Sequence, residues 1–359
     1  MRSTVGSIGV IVLLFLSLVG IFIAGYSLLK NNKSQTLTNI VNIPQGIFNP
    51  LPSPTPFPFA ELTMPYLRNR DYQSKLGELS VYSQNPTYTS YLTNYDSDGL
   101  KINGLLTVPK GEAPVGGFPA IVFVHGYIAP SIYETTQKYT DYVNFLAKNG
   151  FVVFKIDLRG HGDSEGEAGG AYYSSDYVID TLNAYSALEN AEMVNPKKIG
   201  LWGHSMAGNV TFRSFVVKKN IPALVIWAGA GYTYSDLLNY RITDNSYRAP
   251  QQSTERARKR QELRNLYGEF STESEFWKKV PATNYLDGVS GAVLFQHSVD
   301  DNVVSIEYSR NLMKILDKTN VIHSLDEYQS GGHNISGSNF TNAMTKTVEF
   351  FKTQFDVVR

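Results

Sequence analysis

The chain has no cysteine. That absence removes disulfides, thiolate nucleophiles, iron–sulfur clusters and thiolate zinc sites together. It leaves the compartment open, because proteins without disulfides occur on both sides of membranes. Net charge is lacking too: 32 Lys and Arg balance 32 Asp and Glu. Nucleic-acid binders normally carry a basic footprint, so no nucleic-acid partner is expected. Hydrophobic residues make up 42% of the chain and aromatics 13%. That is too apolar for overall disorder and enough for a large packed core. A length of 359 residues fits either two domains or one large α/β domain with extensions.

Residues 5–29 carry no charge and read VGSIGVIVLLFLSLVGIFIAGYSLL. A helix of that length is about 37 Å long, enough for a hydrocarbon core of about 30 Å. The run exceeds the apolar region of a secretory signal, usually about 7–15 residues. Residues 1–30 therefore read as a transmembrane anchor. Gly25-Tyr26-Ser27 keeps a cleaved signal open as an alternative. Arg2 and the terminal amine nearly balance Lys30 and Lys33, so the positive-inside count barely orients the helix. Residues 31–65 are polar, then rich in proline, with Pro44, Pro50, Pro52, Pro54, Pro56, Pro58 and Pro65. Alternating prolines favour extended polyproline II, so this stretch reads as a semi-rigid stalk. With such a spacer after the helix, the catalytic part is expected outside the cytoplasm.

From residue 66 the composition becomes globular. Residues 89–95 and 100–108 are strand-like and joined by Asp96-Ser97-Asp98-Gly99, a hairpin signal. Apolar runs of buried-strand length lie at 120–124, 151–156, 198–202, 223–227, 292–296 and 321–325. Helical segments at 132–148, 176–191, 207–218, 305–317 and 338–355 separate most of them. This alternation predicts an α/β fold: a mostly parallel sheet with helices on both faces. Between 232 and 283 the pattern breaks into a charged helical insertion, STERARKRQELRNLYGEFSTESEFWKK within it. An insertion after a strand's carboxyl end overlies the ligand-binding edge of such sheets, so it reads as a cap.

Ile199-Gly200-Leu201-Trp202-Gly203-His204-Ser205-Met206-Ala207-Gly208 runs from an apolar strand through Gly-x-Ser-x-small into a helix. Such a sharp strand-to-helix turn is a nucleophile elbow, and small neighbours let the serine hydroxyl stand clear of the sheet. The helix start also points free N–H groups at developing negative charge. Ala207 stands where glycine is common, with Gly208 next. Ser205 needs a base and an orienting carboxylate, expected in the order Ser, acid, His. Only His297, His323 and His333 follow it. His297 ends a strand and His323 lies inside one. His333 sits in a glycine-rich loop, Ser330-Gly331-Gly332-His333-Asn334, after the last strand, and is the expected base. Asp300 and Asp301 both follow a strand, and spacing leaves both open as the acid, the other capping a helix. The exit of the first long strand, Val124-His125-Gly126-Tyr127, should supply the oxyanion hole: the backbone N–H of Tyr127 with that of Met206. His125 reads as structural. The loop Arg159-Gly160-His161-Gly162-Asp163-Ser164 is expected to shape the pocket rim. No His/carboxylate cluster has metal-ligand spacing, so no metal and no cofactor is expected.

These segments, HGY, DLRGHGDSEG, GHSMAG, HSVDDNVV and GGH, resemble the α/β-hydrolase superfamily over residues 85–355. They are most similar to prolyl oligopeptidase catalytic domains and to bacterial esterases of the feruloyl or cinnamoyl type. The resemblance implies that Asp300, the first Asp of the DDNV-type segment, is the acid. It supports His333 as base and the Tyr127 and Met206 amides as oxyanion donors. Prolyl oligopeptidases carry a large β-propeller, and only about twenty ordered residues, 66–88, precede this domain. The expected activity is hydrolysis of a small ester or short peptide through an acyl-enzyme. Peptidase and carboxylesterase compete within that class, and a non-catalytic membrane-anchored binding module is the rival outside it. Nothing in the sequence assigns an oligomeric state.

Overall fold

The computed structural model describes residues 57–240, 242 and 254–356. The expected anchor and most of the stalk lie outside the described residues. Among the described residues, no helix is long and apolar enough to cross a membrane.

Nine strands form one sheet: β1 Ser80–Gln84, β2 Tyr88–Ser97, β3 Leu100–Pro109, β4 Phe118–Val124, β5 Val152–Ile156, β6 Val194–His204, β7 Ala223–Trp227, β8 Ala292–Ser298 and β9 Ile322–Tyr328. Their spatial order is β1-β2-β3-β5-β4-β6-β7-β8-β9. The first three and the β3/β5 contact are antiparallel, and β5 through β9 are parallel. The helices are α1 Met64–Arg68, α2 Thr140–Lys148, α3 Asp176–Glu189, α4 Met206–Lys218, α5 Tyr234–Asn239, α6 Thr254–Tyr267, α7 Glu307–Leu316 and α8 Ser338–Asp356. The sheet is apolar on both faces because helices cover both. Along β4, Ala120, Val122 and Val124 pack with α3, α4 and α7, while Ile121 and Phe123 pack with α2 and α8. That is the period-two alternation of a pleated strand.

The hairpin forms where expected. Asp98 and Gly99 both adopt positive φ, 59° and 75°, so the turn matches the twist of β2 and β3. Three expectations need correction. The folded domain does not start at residue 66: Leu62, Met64 and Leu67 are buried, and Pro65 begins α1 rather than extending a stalk. A proline at a helix start and a proline in an extended spacer look alike in sequence. The helix expected over 132–148 shrinks to α2. Tyr139 enters it with φ of 64°, and the residues before it spend their side chains on the sheet. There, the Tyr133 hydroxyl donates to Asp157 at 2.8 Å and Thr135 to the same carboxylate at 2.5 Å. The edge strand β1 has no counterpart among the expected strands; all five of its residues are exposed, so no apolar alternation marks it.

The cap insertion contains α5, α6 and two short 3₁₀ turns at Trp277–Lys279 and Ala282–Asn284. Leu263, Phe276, Trp277 and Val280 form a small core of their own with Leu62 from the start of the domain. The Tyr267 hydroxyl donates to the Pro58 carbonyl at 2.7 Å. The segment before α1 thus straps the cap.

Candidate active site

Ser205 lies between β6 and α4 with φ 55° and ψ −119°. A non-glycine residue is strained in that conformation, and packing must impose it. Two glycines do so. A Cβ on Gly203 would meet Thr211 Oγ1 at 2.6 Å, and one on Gly208 would meet Gly229 Cα at 2.6 Å. Ala207 is buried without such a conflict because Gly208, not residue 207, makes the close approach to the neighbouring strand's exit. The Ser205 N–H donates to the Trp227 carbonyl at 2.9 Å, tying the elbow to β7.

His333 occupies a one-turn 3₁₀ helix, Gly332–Asn334, between β9 and α8. Its Nδ1 is 2.8 Å from Asp301 Oδ2. The expected acid, Asp300, is not its partner. Asp300 instead accepts the backbone N–H groups of Gly331 at 3.3 Å and Gly332 at 2.9 Å, which holds the loop carrying the base. Asp301 points inward, with a fully buried side chain, while Asp300 is exposed. The turn after β8, in which the Asp301 N–H donates to the Ser298 carbonyl at 3.3 Å, decides which neighbour faces inward.

Asp301 is held on every side. Its Oδ1 accepts the N–H groups of Val303 at 2.8 Å and Val304 at 3.0 Å. Its Oδ2 accepts His297 Nε2 at 3.1 Å as well as His333. His297 Nε2 faces two acceptors, Asp301 and the Val304 carbonyl at 3.0 Å, so it carries the proton. Its Nδ1 accepts from the Ser309 hydroxyl at 2.8 Å. Sequence reasoning places His297 only at the end of a strand; its position four residues before Asp301 is the signal for this contact. Burial alone would raise the pKa of Asp301. Hydrogen bonds from His297 and His333, with the His333 charge, outweigh burial and hold it below the usual carboxylate range.

A depressed folded pKa contributes stability that is present above the unfolded value, about 3.9, and is lost as pH falls toward the folded one. Asp301→Asn is therefore expected to flatten the loss of stability below about pH 4. Denaturant midpoints of both proteins measured from pH 6 to pH 2 check this, and parallel curves contradict it.

A second network, equally absent from the sequence reading, joins the elbow to both flanking loops. His204 Nε2 lies 2.9 Å from the His333 carbonyl, which can only accept, so Nε2 bears the proton. Its Nδ1 then accepts from the Tyr139 hydroxyl at 2.7 Å, and that oxygen accepts the Gly126 N–H at 3.0 Å. The His204 and His333 rings lie 4.6 Å apart. Burial and the His333 charge push the His204 pKa down to about 3, so it stays neutral. In the sequence His204 is only the variable residue of Gly-x-Ser.

The strands β4 and β6 pair in parallel through Val124↔Gly203. Three residues beyond that pair stand Tyr127 and Met206, so the two backbones leave the sheet side by side. Gly126 is required there: a Cβ would meet the Tyr139 hydroxyl at 2.7 Å and the His204 carbonyl at 3.1 Å. His125 is buried between the carbonyls of Gly126 and Asp157, a packing position. Arg159 is not a rim residue. It is buried on Asp180, Nη2 to Oδ1 at 2.7 Å, and locks its loop to α3. His323 sits on β9 against Asp317 at 3.0 Å, away from the other site residues. Among the described residues no group of three His, Asp or Glu could hold a metal ion.

Comparison with known proteins bears on family and fold. The model of the serine aminopeptidase S33 family matches residues 118–338. A thiohydrolase, aneE, of Aspergillus aculeatus is 30% identical over 128 residues, 36% of this chain and 37% of that protein. The matched region spans between 37% and 50% of such curated relatives. Acetyl xylan esterase 1 from Thermoanaerobacterium sp. superposes with a TM-score of 0.55 at 18% identity, over 82% of this chain and 91% of that one. Acylaminoacyl peptidase of Pyrococcus horikoshii gives 0.58 at 19% identity, over 77% and 43%. These two likenesses show the fold, and the family match shows the kinship: the chain has the α/β-hydrolase fold and belongs to the serine aminopeptidase S33 family.

Proposed function

We propose that this protein hydrolyses small carboxylic esters or short peptides through an acyl-enzyme on Ser205. The observation that carries the reading is the His333–Asp301 hydrogen bond, set beside the elbow by the His204 contact. Ser205 Oγ attacks the substrate carbonyl and His333 Nε2 takes its proton. Asp301 keeps the His333 proton on Nδ1 and stabilises the imidazolium. The N–H groups of Tyr127 and Met206 hold the tetrahedral oxyanion; the latter belongs to the first turn of α4, where N–H groups have no carbonyl of their own helix. Collapse expels an alcohol or amine protonated by His333. Water then enters, loses its proton to His333 and releases the acid.

The same machinery serves esters and amides, so the leaving group is a matter of pocket rather than triad. Ester relatives and peptide relatives both occur among the similar proteins, which keeps a prolyl oligopeptidase-like peptidase and a feruloyl-type esterase as the two forms of this reading. A fluorophosphonate probe should label the protein at Ser205 alone. A panel of p-nitrophenyl esters and N-blocked peptide anilides should show turnover of at least one class. Absence of labelling would favour a non-catalytic binding module instead. Residues 5–29 would anchor the enzyme in a membrane, with the hydrolase held outside the cytoplasm; protease protection in spheroplasts tests that placement.

A further inference from the structure

One charged side chain beneath the cap is buried without a counter-charge among the described residues. Arg213 stands on α4 two turns beyond Ser205 and is 4% exposed. Its Nη2 donates to the Leu62 carbonyl at 2.7 Å and to Ser175 Oγ at 3.1 Å. Its Nε has no hydrogen-bond partner among the described residues. Burial pushes the guanidinium down to about 10, which leaves it charged at neutral pH, and the titratable groups acting on it are Tyr234 and Tyr72, not acids. Another buried arginine, Arg159, shows the usual arrangement, with Asp180 at 2.7 Å. Buried charges are otherwise paired, because an unpaired one loses its hydration with nothing to offset the loss.

Arg213 lines a narrow cleft of about 30 Å³, room for a group the size of a carboxylate, whose wall is α4 and whose roof is the cap. Tyr234 and Leu237 of α5 and residues 280–282 close it. Asn209, Tyr232 and Tyr234 also line it, and the Tyr234 hydroxyl lacks a partner among the described residues, while the Tyr232 hydroxyl packs against Gly208 and Gly229. Asn209 and Arg213, four apart, share one face of α4, and Ser205 is the residue that precedes this helix. Eight residues rise about 12 Å, and helical side chains lean back toward the N-terminus. The guanidinium therefore sits roughly 8–10 Å from the nucleophile, the span of a short aliphatic chain.

We propose that this cleft is the subsite for a carboxylate at the far end of the substrate, with Arg213 as its counter-ion and the Tyr234 hydroxyl as a further donor. The proposal rests on Ser205 as nucleophile. It names the substrate class: an ester or amide with a carboxylate some five to seven bonds from the scissile carbonyl. That carboxylate can belong to the acyl half, as in a dicarboxylic hemiester, or to the leaving half, as at a peptide C-terminus.

Two series of esters distinguish the sources. One carries the carboxylate on the acyl chain and the other on the alcohol, each beside a methyl-capped neutral analogue. In one series the charged member should show kcat/KM at least tenfold above its analogue. Arg213→Gln should bring that ratio to about one, and Arg213→Lys should restore part of it. Tyr234→Phe, which keeps the shape of the cleft, should lower the ratio severalfold. Calorimetry with adipate and Ser205→Ala protein supplies a readout free of turnover: binding is expected, and loss of it in the Ser205→Ala, Arg213→Gln double variant. Equal kcat/KM for charged and neutral members in both series of the natural protein, with no adipate binding, overturns the proposal. Adipate binding without any turnover would instead overturn Ser205 as nucleophile and leave the cleft standing.

Discussion

Replacing Ser205 by alanine is expected to lower kcat by about a millionfold on any substrate the enzyme accepts. The size of the effect comes from the unit in which Ser205 acts. Without its hydroxyl, His333 has no proton to take and the oxyanion donors have no adduct to stabilise. What remains is water attacking a bound carbonyl. Substrate binding should survive, because Ser205 shapes no part of the cap, so KM or an inhibitor constant should change little. Stability should rise slightly, if it changes at all. The strained φ of 55° is imposed by Gly203 and Gly208 packing, and alanine bears the same conformation with one fewer polar group. Stopped-flow and steady-state rates on a p-nitrophenyl ester check the prediction. Ordinary turnover by the Ser205→Ala protein would mean that the nucleophile lies elsewhere.

Asp301→Asn should cost about ten-thousandfold in kcat, whereas Asp300→Ala should cost less than about tenfold. An asparagine at 301 can present an amide N–H to His333 Nδ1 and so turn the imidazole into the wrong tautomer. With that amide turned toward the histidines, the buried His297 Nε2–H keeps only the Val304 carbonyl at 3.0 Å as its acceptor. Asp300 acts at one remove. Its loss frees two glycine N–H groups at an exposed loop, which water can satisfy, so the His333 loop loosens without losing its acid. A pH profile separates the two effects. Asp300→Ala should keep the basic limb of the wild-type kcat/KM profile at a reduced height, and Asp301→Asn should recover activity only as hydroxide replaces the base. A severe Asp300 defect with a mild Asp301 one would reverse the assignment.

The elbow is legible in the sequence because strand, tight turn and helix are all local. Apolar run, Gly-x-Ser and small residues lie within ten positions, and no distant contact is needed to recognise them. His333 is legible by elimination and by its glycine loop. Asp301 is not, because the choice between neighbours depends on which one faces inward at the end of β8, and the resemblance favours the wrong neighbour. His204 is equally opaque, acting through a partner 129 residues away, whereas His297 lies only four residues before its partner Asp301. The strap up to residue 65 reads as stalk, since proline composition says nothing about whether Leu62 and Met64 find an apolar surface.

By itself, then, the sequence determined the chemistry available: no thiol, one serine at an elbow, one histidine in a loop after the last strand, and a β–α alternation that must fold as a parallel sheet. Those are properties of short segments and of pattern, which the chain carries wherever it goes. Only the tertiary structure decided which carboxylate meets His333, how His204 binds the elbow to both loops, and that Arg213 lies under the cap with no acid beside it among the described residues. Each of these depends on burial and on the direction of a side chain, and both are settled only when distant segments pack.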